Sequence, residues 1–303
     1  MLPLRRILCP VDFSDASHHA VEHALALARW YGARVTALHV SYQAEERDVS
    51  LSGTGHASER PEVQRLIEEL AQAFGAGHGM GVGVDPFVRA GDPVGQILES
   101  AVTLSADLIV MGTHGSGGFE HLVLGSVAEK VLRKARCPVF TVPPKARATS
   151  VLPFKRLLCG VDFSPSSDLA LQFAFSLAQQ SQAELTLVHV LEWPWHEPPA
   201  PVFEDLPYEQ AVQLAAFRQQ REQQAMDRLT ALIPDAVRDW CLPETQVAHG
   251  KPYVEMLRVA AACQADLIVL GVQGRHAFDL ALLGSTTNQL VRQATCPVLT
   301  VRR

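Results

Sequence analysis

The sequence predicts two consecutive α/β domains, each a parallel sheet with helices on both faces. Three observations lead there. Short apolar runs alternate with segments of helical spacing, the signature of β-α-β units. That alternation occurs twice, in the same order, within 303 residues. The strand-like runs are apolar throughout rather than every second residue, as expected of strands covered on both faces.

The repeat is legible residue by residue. RRILCPVDFSDAS at 5–17 matches KRLLCGVDFSPSS at 155–167, and ARVTALHV at 33–40 matches AELTLVHV at 183–190, both at an offset of 150. ADLIVMG at 106–112 matches ADLIVLG at 265–271, and the Cys-Pro-Val triplets at 137 and 296 match as well, now at an offset of 159. AGDP at 90–93 and HGKP at 249–252 already carry the larger offset, so the second copy gains a net nine residues before its third helix. The stretch PPKARATSVLPF at 143–154, with three prolines, reads as the linker and places the boundary near residue 148, giving domains 1–148 and 149–303.

In the first copy Arg6–Val11 is a buried strand, and Ser14–Trp30 a helix capped by Ser14 or Asp15. Arg34–Val40 is the second strand. Residues 43–58, polar and glycine-containing, read as a loop. Pro61–Phe74 is a helix with an apolar stripe at Val63, Leu66, Ile67 and Leu70; Val82–Val88 is a weaker strand. Pro93–Leu104 is a helix with proline in its first turn, followed by the strand Leu108–Met111, the helix Ser126–Arg133 and the strand Val139–Val142. The second copy repeats the order from Arg156 to Val301, with a long helix at Tyr208–Leu232. Before that helix, residues 192–207 are rich in proline and aromatic residues and hold part of the extra length.

Composition narrows the function classes. Hydrophobic residues at 48% against 19% charged exclude a mostly disordered chain. A net charge of −6 without a basic tract argues against nucleic-acid binding. The apolar run after Arg5 and Arg6 ends at Asp12, too short for a leader or membrane span, so no membrane partner is expected. Cys9, Cys137, Cys159, Cys241, Cys263 and Cys296 form no C-x-x-C pair and read as buried free thiols, which predicts a cytoplasmic protein. His18, His19 and His23 read as surface residues of one helix, and His39 and His189 as buried strand-end residues.

The chemistry-bearing pattern is a doubled glycine loop. Gly112-x-x-Gly115 is separated by nine residues from Gly125-Ser126, and Gly271-x-x-Gly274 by nine from Gly284-Ser285. Each loop follows an apolar strand and precedes a helix, where glycine lets the backbone approach an anion and the helix offers unpaired N–H groups. No Gly-Lys-Ser/Thr follows and the spacing is not G-x-G-x-x-G, so this is neither a Walker loop nor a dinucleotide fingerprint. Two structural alternatives stay open: the glycines form only a tight turn, and Asp12 and Asp162, just beyond the first strands, cap helices.

The motif set ILCPVDFS, LLCGVDFS, MGTHGSGG, LGVQGRHA, LGSVAEKVLRKARCPV and LGSTTNQLVRQATCPV resembles the universal stress protein family in its tandem-domain form, over essentially the whole chain. The resemblance implies two adenine-nucleotide-binding-like domains, each a five-stranded parallel sheet of order 3-2-1-4-5. It implies ATP with Mg2+, or another adenylate, as ligand. Asp12 and Asp162 match the acidic residue near ribose and adenine, and Val40 and Val190 the strand end that meets adenine. Gly112, Thr113, His114, Gly115, Gly125 and Ser126 match the first phosphate loop, and Gly271, Gly274, Arg275, Gly284 and Ser285 the second. The polar pair Thr113-His114 against Val272-Gln273 favours the first site over the second. No general base is evident, so no catalytic residue and no resident structural metal are assigned, although slow ATP hydrolysis occurs in some members. The last strands are expected to pair the two halves into a pseudo-dimer, with further homo-oligomerisation left open. The competing function class is a nucleotide-independent structural or interaction module.

Overall fold

A computed structural model describes residues 4–41, 49–50, 61–75, 82–113, 124–144, 146, 154–192, 208–272 and 283–302. The first half runs β1 (Arg6–Val11), α1 (Asp15–Tyr31), β2 (Arg34–Ser41), β3 (Val49–Ser50), α2 (Pro61–Gly75), β4 (Val84–Ala90), α3 (Pro93–Thr103), β5 (Leu108–Gly112), α4 (Ser126–Lys134) and β6 (Val139–Val142). The second runs β7 (Arg156–Gly160), α5 (Pro165–Ser181), β8 (Glu184–Leu191), α6 (Tyr208–Ala231), α7 (Asp235–Arg238), β9 (Glu244–His249), α8 (Pro252–Ala262), β10 (Leu267–Gly271), α9 (Ser285–Gln293) and β11 (Val298–Val301).

All strands join one 11-stranded sheet, ordered β3-β4-β2-β1-β5-β6-β11-β10-β7-β8-β9. Within each half the five parallel strands follow the expected 3-2-1-4-5 order. Two elements depart from the sequence reading. Residues 49–50, expected in a loop, form β3, antiparallel to β4. The four-residue α7 was not foreseen; it opens after Pro234 and buries only Val237, too little for a periodic signal. The interdomain boundary near 148 and most of the proline-rich segment lie outside the described residues.

Alternation along the strands sorts the core onto two faces. Ile7, Cys9 and Val11 point to the face covered by α1 and α2, and Leu8 to the face covered by α3 and α4. Leu157 and Cys159 repeat this against α5 and α6, and Leu158 against α8 and α9. Both layers run without interruption through both halves.

The bottom of each sheet is tied by one carboxylate. Asp107 accepts from the Arg5 and Arg6 amides at 2.8 and 2.9 Å, and Asp266 from the Lys155 and Arg156 amides at 2.7 and 3.1 Å. Each bond spans the junction between the first and fourth strands of its half.

The halves meet where β6 runs antiparallel to β11, Thr141 opposite Val298 and Val139 opposite Thr300. Here the hydroxyl of Thr141 donates to the Val298 carbonyl and that of Thr300 to the Val139 carbonyl, both at 3.1 Å. The exchange satisfies two buried hydroxyls and removes an edge from each sheet. Phe140 and Phe154, with ring centroids 6.1 Å apart, pack beside this seam.

The histidine reading needs two corrections: of the strand-end pair only His189 is buried, His39 being half-buried. His23 is not on the surface: only 2% of it is exposed, and its ring lies 6.1 Å from Phe140. Its Nδ1 donates to the His19 carbonyl at 2.8 Å, which is how an imidazole is accommodated in an apolar seam. α1 packs against β5 and β6, and the face that does so carries this side chain. His18, by contrast, is half-exposed and contacts the buried Glu69 carboxylate.

All six cysteines are free. Cys9, Cys159 and Cys296 are buried as expected, whereas Cys137, Cys241 and Cys263 are only half-buried. Among the described residues no helix is long and apolar enough to cross a membrane.

Burial lowers the His23 pKa from 6.5 to about 4, against a smaller opposing effect of the His19 carbonyl. The folded state therefore binds fewer protons than the unfolded state between these values. His23 stabilisation is complete above about pH 6.5 and is lost as pH falls toward 4, amounting to about 3 kcal/mol. His23→Leu is expected to lack this component. Urea unfolding of both proteins at about pH 7.5 and about pH 4.5 reads it as a difference of differences, in which the opposite contribution of Glu69 cancels. Parallel pH dependences would contradict it.

Candidate functional site

In a parallel α/β sheet the open crevice lies beyond the carboxyl ends of the strands, where strand order reverses. In the second half that point falls between β7 and β10, and a cleft of about 510 Å³ occupies it. β7 contributes Gly160 and leads directly into Asp162; β8 supplies His189, Val190 and Leu191, and β10 ends in Gly271. The start of α9 closes one side with Gly284, Ser285 and Thr286, while α6 brings Arg221. Of the second-copy residues singled out in the sequence, Asp162, Val190, Gly271, Gly284 and Ser285 thus converge on one cleft. Gly274 and Arg275 lie outside the described residues, as do His114 and Gly115.

The first half places Asp12, Val40, Gly112, Gly125 and Ser126 at the corresponding strand and helix ends. Thr113 sits there too, but fully buried: its amide donates to the Val142 carbonyl at 3.1 Å, its carbonyl accepts from Gly125 at 2.8 Å, and its hydroxyl makes a long 3.5 Å bond to the same Val142 carbonyl. Val272 makes the equivalent backbone bonds, to Val301 at 2.9 Å and from Gly284 at 3.0 Å, and is buried likewise. The threonine-to-valine difference, one reason to rank the first site higher, therefore lies inside the strand-to-helix connection of each half.

The aspartates are not the helix caps. Ser14 and Ser164 are, accepting from the Ser17 and Ser167 amides at 3.2 Å. Asp12 and Asp162 accept instead from the Ser14 and Ser164 amides at 3.1 and 3.0 Å, closing the turn before the helix. Nor do Ser126 and Ser285 cap α4 and α9: Gly125 and Gly284 hold the cap positions, with no side-chain cap bond. The first amides of both helices are thus left to solvent or a ligand, the arrangement that binds anions.

Between aspartate and capping serine the chain passes through Phe13 or Phe163, at φ of 62° and 61°. A bulky residue in this left-handed region costs about 1–3 kcal/mol. In both copies a guanidinium lies over the ring, Arg65 at 4.5 Å and Arg228 at 4.0 Å from its centroid. An imidazole also packs against it, His39 at 4.7 Å and His189 at 4.6 Å. Since a carbonyl only accepts, His39 Nδ1 donates to Val11 at 2.9 Å and His189 Nδ1 to Val161 at 2.6 Å.

Sequence reasoning missed the roles of Arg221 and of this stack. Phe13 and Phe163, and His39 and His189, fall on the repeat offset of 150, but Arg65 and Arg228 are 163 apart and match at neither offset. Arg221 belongs to a helix whose apolar stripe is weak, and no spacing marks which of its charges faces the cleft.

Nucleophilic thiol chemistry is absent from this region. Burial pushes the Cys9 and Cys159 thiols up to about 12, with Glu69 adding to the effect at Cys9. Among the described residues no group of three or more His, Cys, Asp and Glu side chains could hold a metal ion.

Gly112 and Gly271 have a steric reason to be glycine. A Cβ at Gly112 would lie 2.8 Å from the Ala16 carbonyl oxygen, and at Gly271 2.7 Å from the Ser166 carbonyl carbon and 2.8 Å from the Ser167 amide. These are backbone atoms and cannot swing aside. Gly112→Ala and Gly271→Ala are each expected to cost about 1–3 kcal/mol in chemical denaturation, ligand or no ligand. Unchanged midpoints would show that the first turns of α1 and α5 yield.

Comparison with known proteins agrees with this architecture. The universal stress protein family profile matches residues 3–143 and again 153–302. The chain is 28% identical over 311 residues to a universal stress protein of Mycolicibacterium smegmatis, covering 98% of this chain and 96% of that one. It is 33% identical over 144 residues to one of Methanocaldococcus jannaschii, covering 46% and 81%. Among solved structures, a universal stress protein from Archaeoglobus fulgidus shares the fold over 98% of both chains, with a TM-score of 0.65 at 22% identity. With the family matched once in each half and the strand order repeated in each, the chain belongs to the universal stress protein family as a tandem of two such domains.

Proposed function

We propose that this chain is a stress-associated regulator that binds adenine nucleotide, ATP with Mg2+ in the first instance, with its two domains meeting near residue 148. One observation carries the reading. A strand-end carboxylate, a strand-end backbone and the uncapped start of a helix converge on one cleft in the second half. Its volume of about 510 Å³ lies within the usual range of small-molecule sites, about 300–1,000 Å³. In this reading the α9 amides and the Ser285 hydroxyl receive phosphate oxygens, Asp162 faces the ribose, and Val190 borders the base. Arg221 adds the cation that an anionic ligand needs. A magnesium ion arriving with the nucleotide would be held on the protein side by Asp162 and would supply neutralisation of phosphate charge, so no protein cage is required. Asp12, Val40, Gly112, Gly125 and Ser126 would serve the first half in the same manner.

Occupancy rather than turnover is the primary reading. Among the described lining residues only His189 is a neutral-pH base, and its ring is engaged in the turn, with Nδ1–H donated to the Val161 carbonyl and one face against Phe163. A nucleotide-independent role is favoured by one specific observation: Gly112 and Gly271 are required by backbone packing whether or not a ligand binds.

Titration calorimetry with ATP and Mg2+ separates the two. Saturable binding is expected, weakened about tenfold or more by Asp162→Ala and by Arg221→Ala, each of which removes a charged contact. Wild-type protein that does not bind would end the nucleotide reading in favour of the structural one. Binding that persists in both variants but is lost in Asp12→Ala would move the site to the first half.

A further inference from the structure

We propose that Arg228, Phe163 and His189, and their counterparts Arg65, Phe13 and His39, are positioning residues that hold each strand-end aspartate in the geometry that receives a ligand. This rests on the nucleotide reading for the identity of the ligand, but not for the existence of the device.

Four consecutive residues form the turn. Val161 is held through its carbonyl by His189 Nδ1, and Phe163 lies under the Arg228 guanidinium and against the same imidazole. Between them, Asp162 closes onto the Ser164 amide, and Ser164 caps α5. The Asp162 bond closes across Phe163, so its geometry depends on the left-handed backbone of that residue, which an L side chain adopts only when its surroundings hold it there. The first turn of α5 then touches the backbone of Gly271 at the base of the glycine loop. Moving Phe163 would therefore move the carboxylate on one wall of the cleft and the helix that packs against the other.

The arginine comes from outside the glycine loop. Arg228 and Arg221 are seven residues apart on α6, two helical turns along one face, so the same helix lines the cleft and clamps the turn. In the first half Arg65 reaches Phe13 from α2. Arginine, phenylalanine and histidine recur in both halves, and Arg65 and Arg228 each directly precede a fully buried leucine of their helix, Leu66 and Leu229. Arg228 is exposed, so replacing it opens no core.

The test reads the turn and the ligand separately. In the unliganded protein, Arg228→Met keeps the side-chain volume and removes the cation; amide exchange at Ser164 is expected to quicken about threefold, with no change at Ser14. Arg228→Lys restores protection, and Arg65→Met gives the mirror result, quickening Ser14 and sparing Ser164. The Kd for Mg2+-bound ATP is expected to rise by about the same factor in Arg228→Met while the urea midpoint stays in place. Unchanged Ser164 exchange, or a change shared equally by both serines, would overturn the proposal, as would faster exchange with an unaltered Kd. If wild-type protein binds no ATP, the nucleotide assignment fails while the exchange measurement still decides whether the stack holds the turn.

Discussion

The structure turns on a close approach of backbone to backbone. At the ends of β5 and β10 the chain has no side chain, and the first turns of α1 and α5 rest directly on it. That contact fixes the helix at a height where its preceding turn, with Asp12 or Asp162, projects beyond the sheet. A methyl group at either glycine would lift the helix and displace the aspartate with it. One steric fact therefore sets both the packing of the first helix and the position of the first candidate ligand group. The glycines at 112 and 271 are needed for the fold before they are needed for any phosphate.

Joining the halves edge to edge extends the same economy. Pairing β6 with β11 produces two core layers shared by both domains. Each domain keeps its own switch point, on opposite arms of a single sheet. The second copy's net gain of nine residues falls between β8 and α8, the stretch that also carries α6 and its arginines.

Much of the fold was legible in advance because the repeat tests itself. Two copies with strand and helix signals in the same order make the parallel sheet hard to misread, and proline and capping residues marked most helix starts within a residue or two. Val49–Ser50 and Asp235–Arg238 were not legible, since two and four residues carry no periodicity. His23 was misread because helical spacing alone does not show that this face of α1 lies against β6 and Phe140.

The candidate site divides along the same line. The sequence by itself determined that there are two universal stress domains, which strand ends and helix starts carry the polar residues, and which glycines recur, because these are local features fixed by spacing. Only the tertiary structure decided that Ser14 and Ser164 are the caps, that Thr113 and Val272 face inward, and that Arg221 and Arg228 reach one cleft and one turn from a distant helix. The physical reason is that a cap, a burial or a stacked cation depends on where a second segment lies in space. Two arginines 163 residues apart share a role through the packing of their helices, and no alignment of the two copies at either offset brings them together.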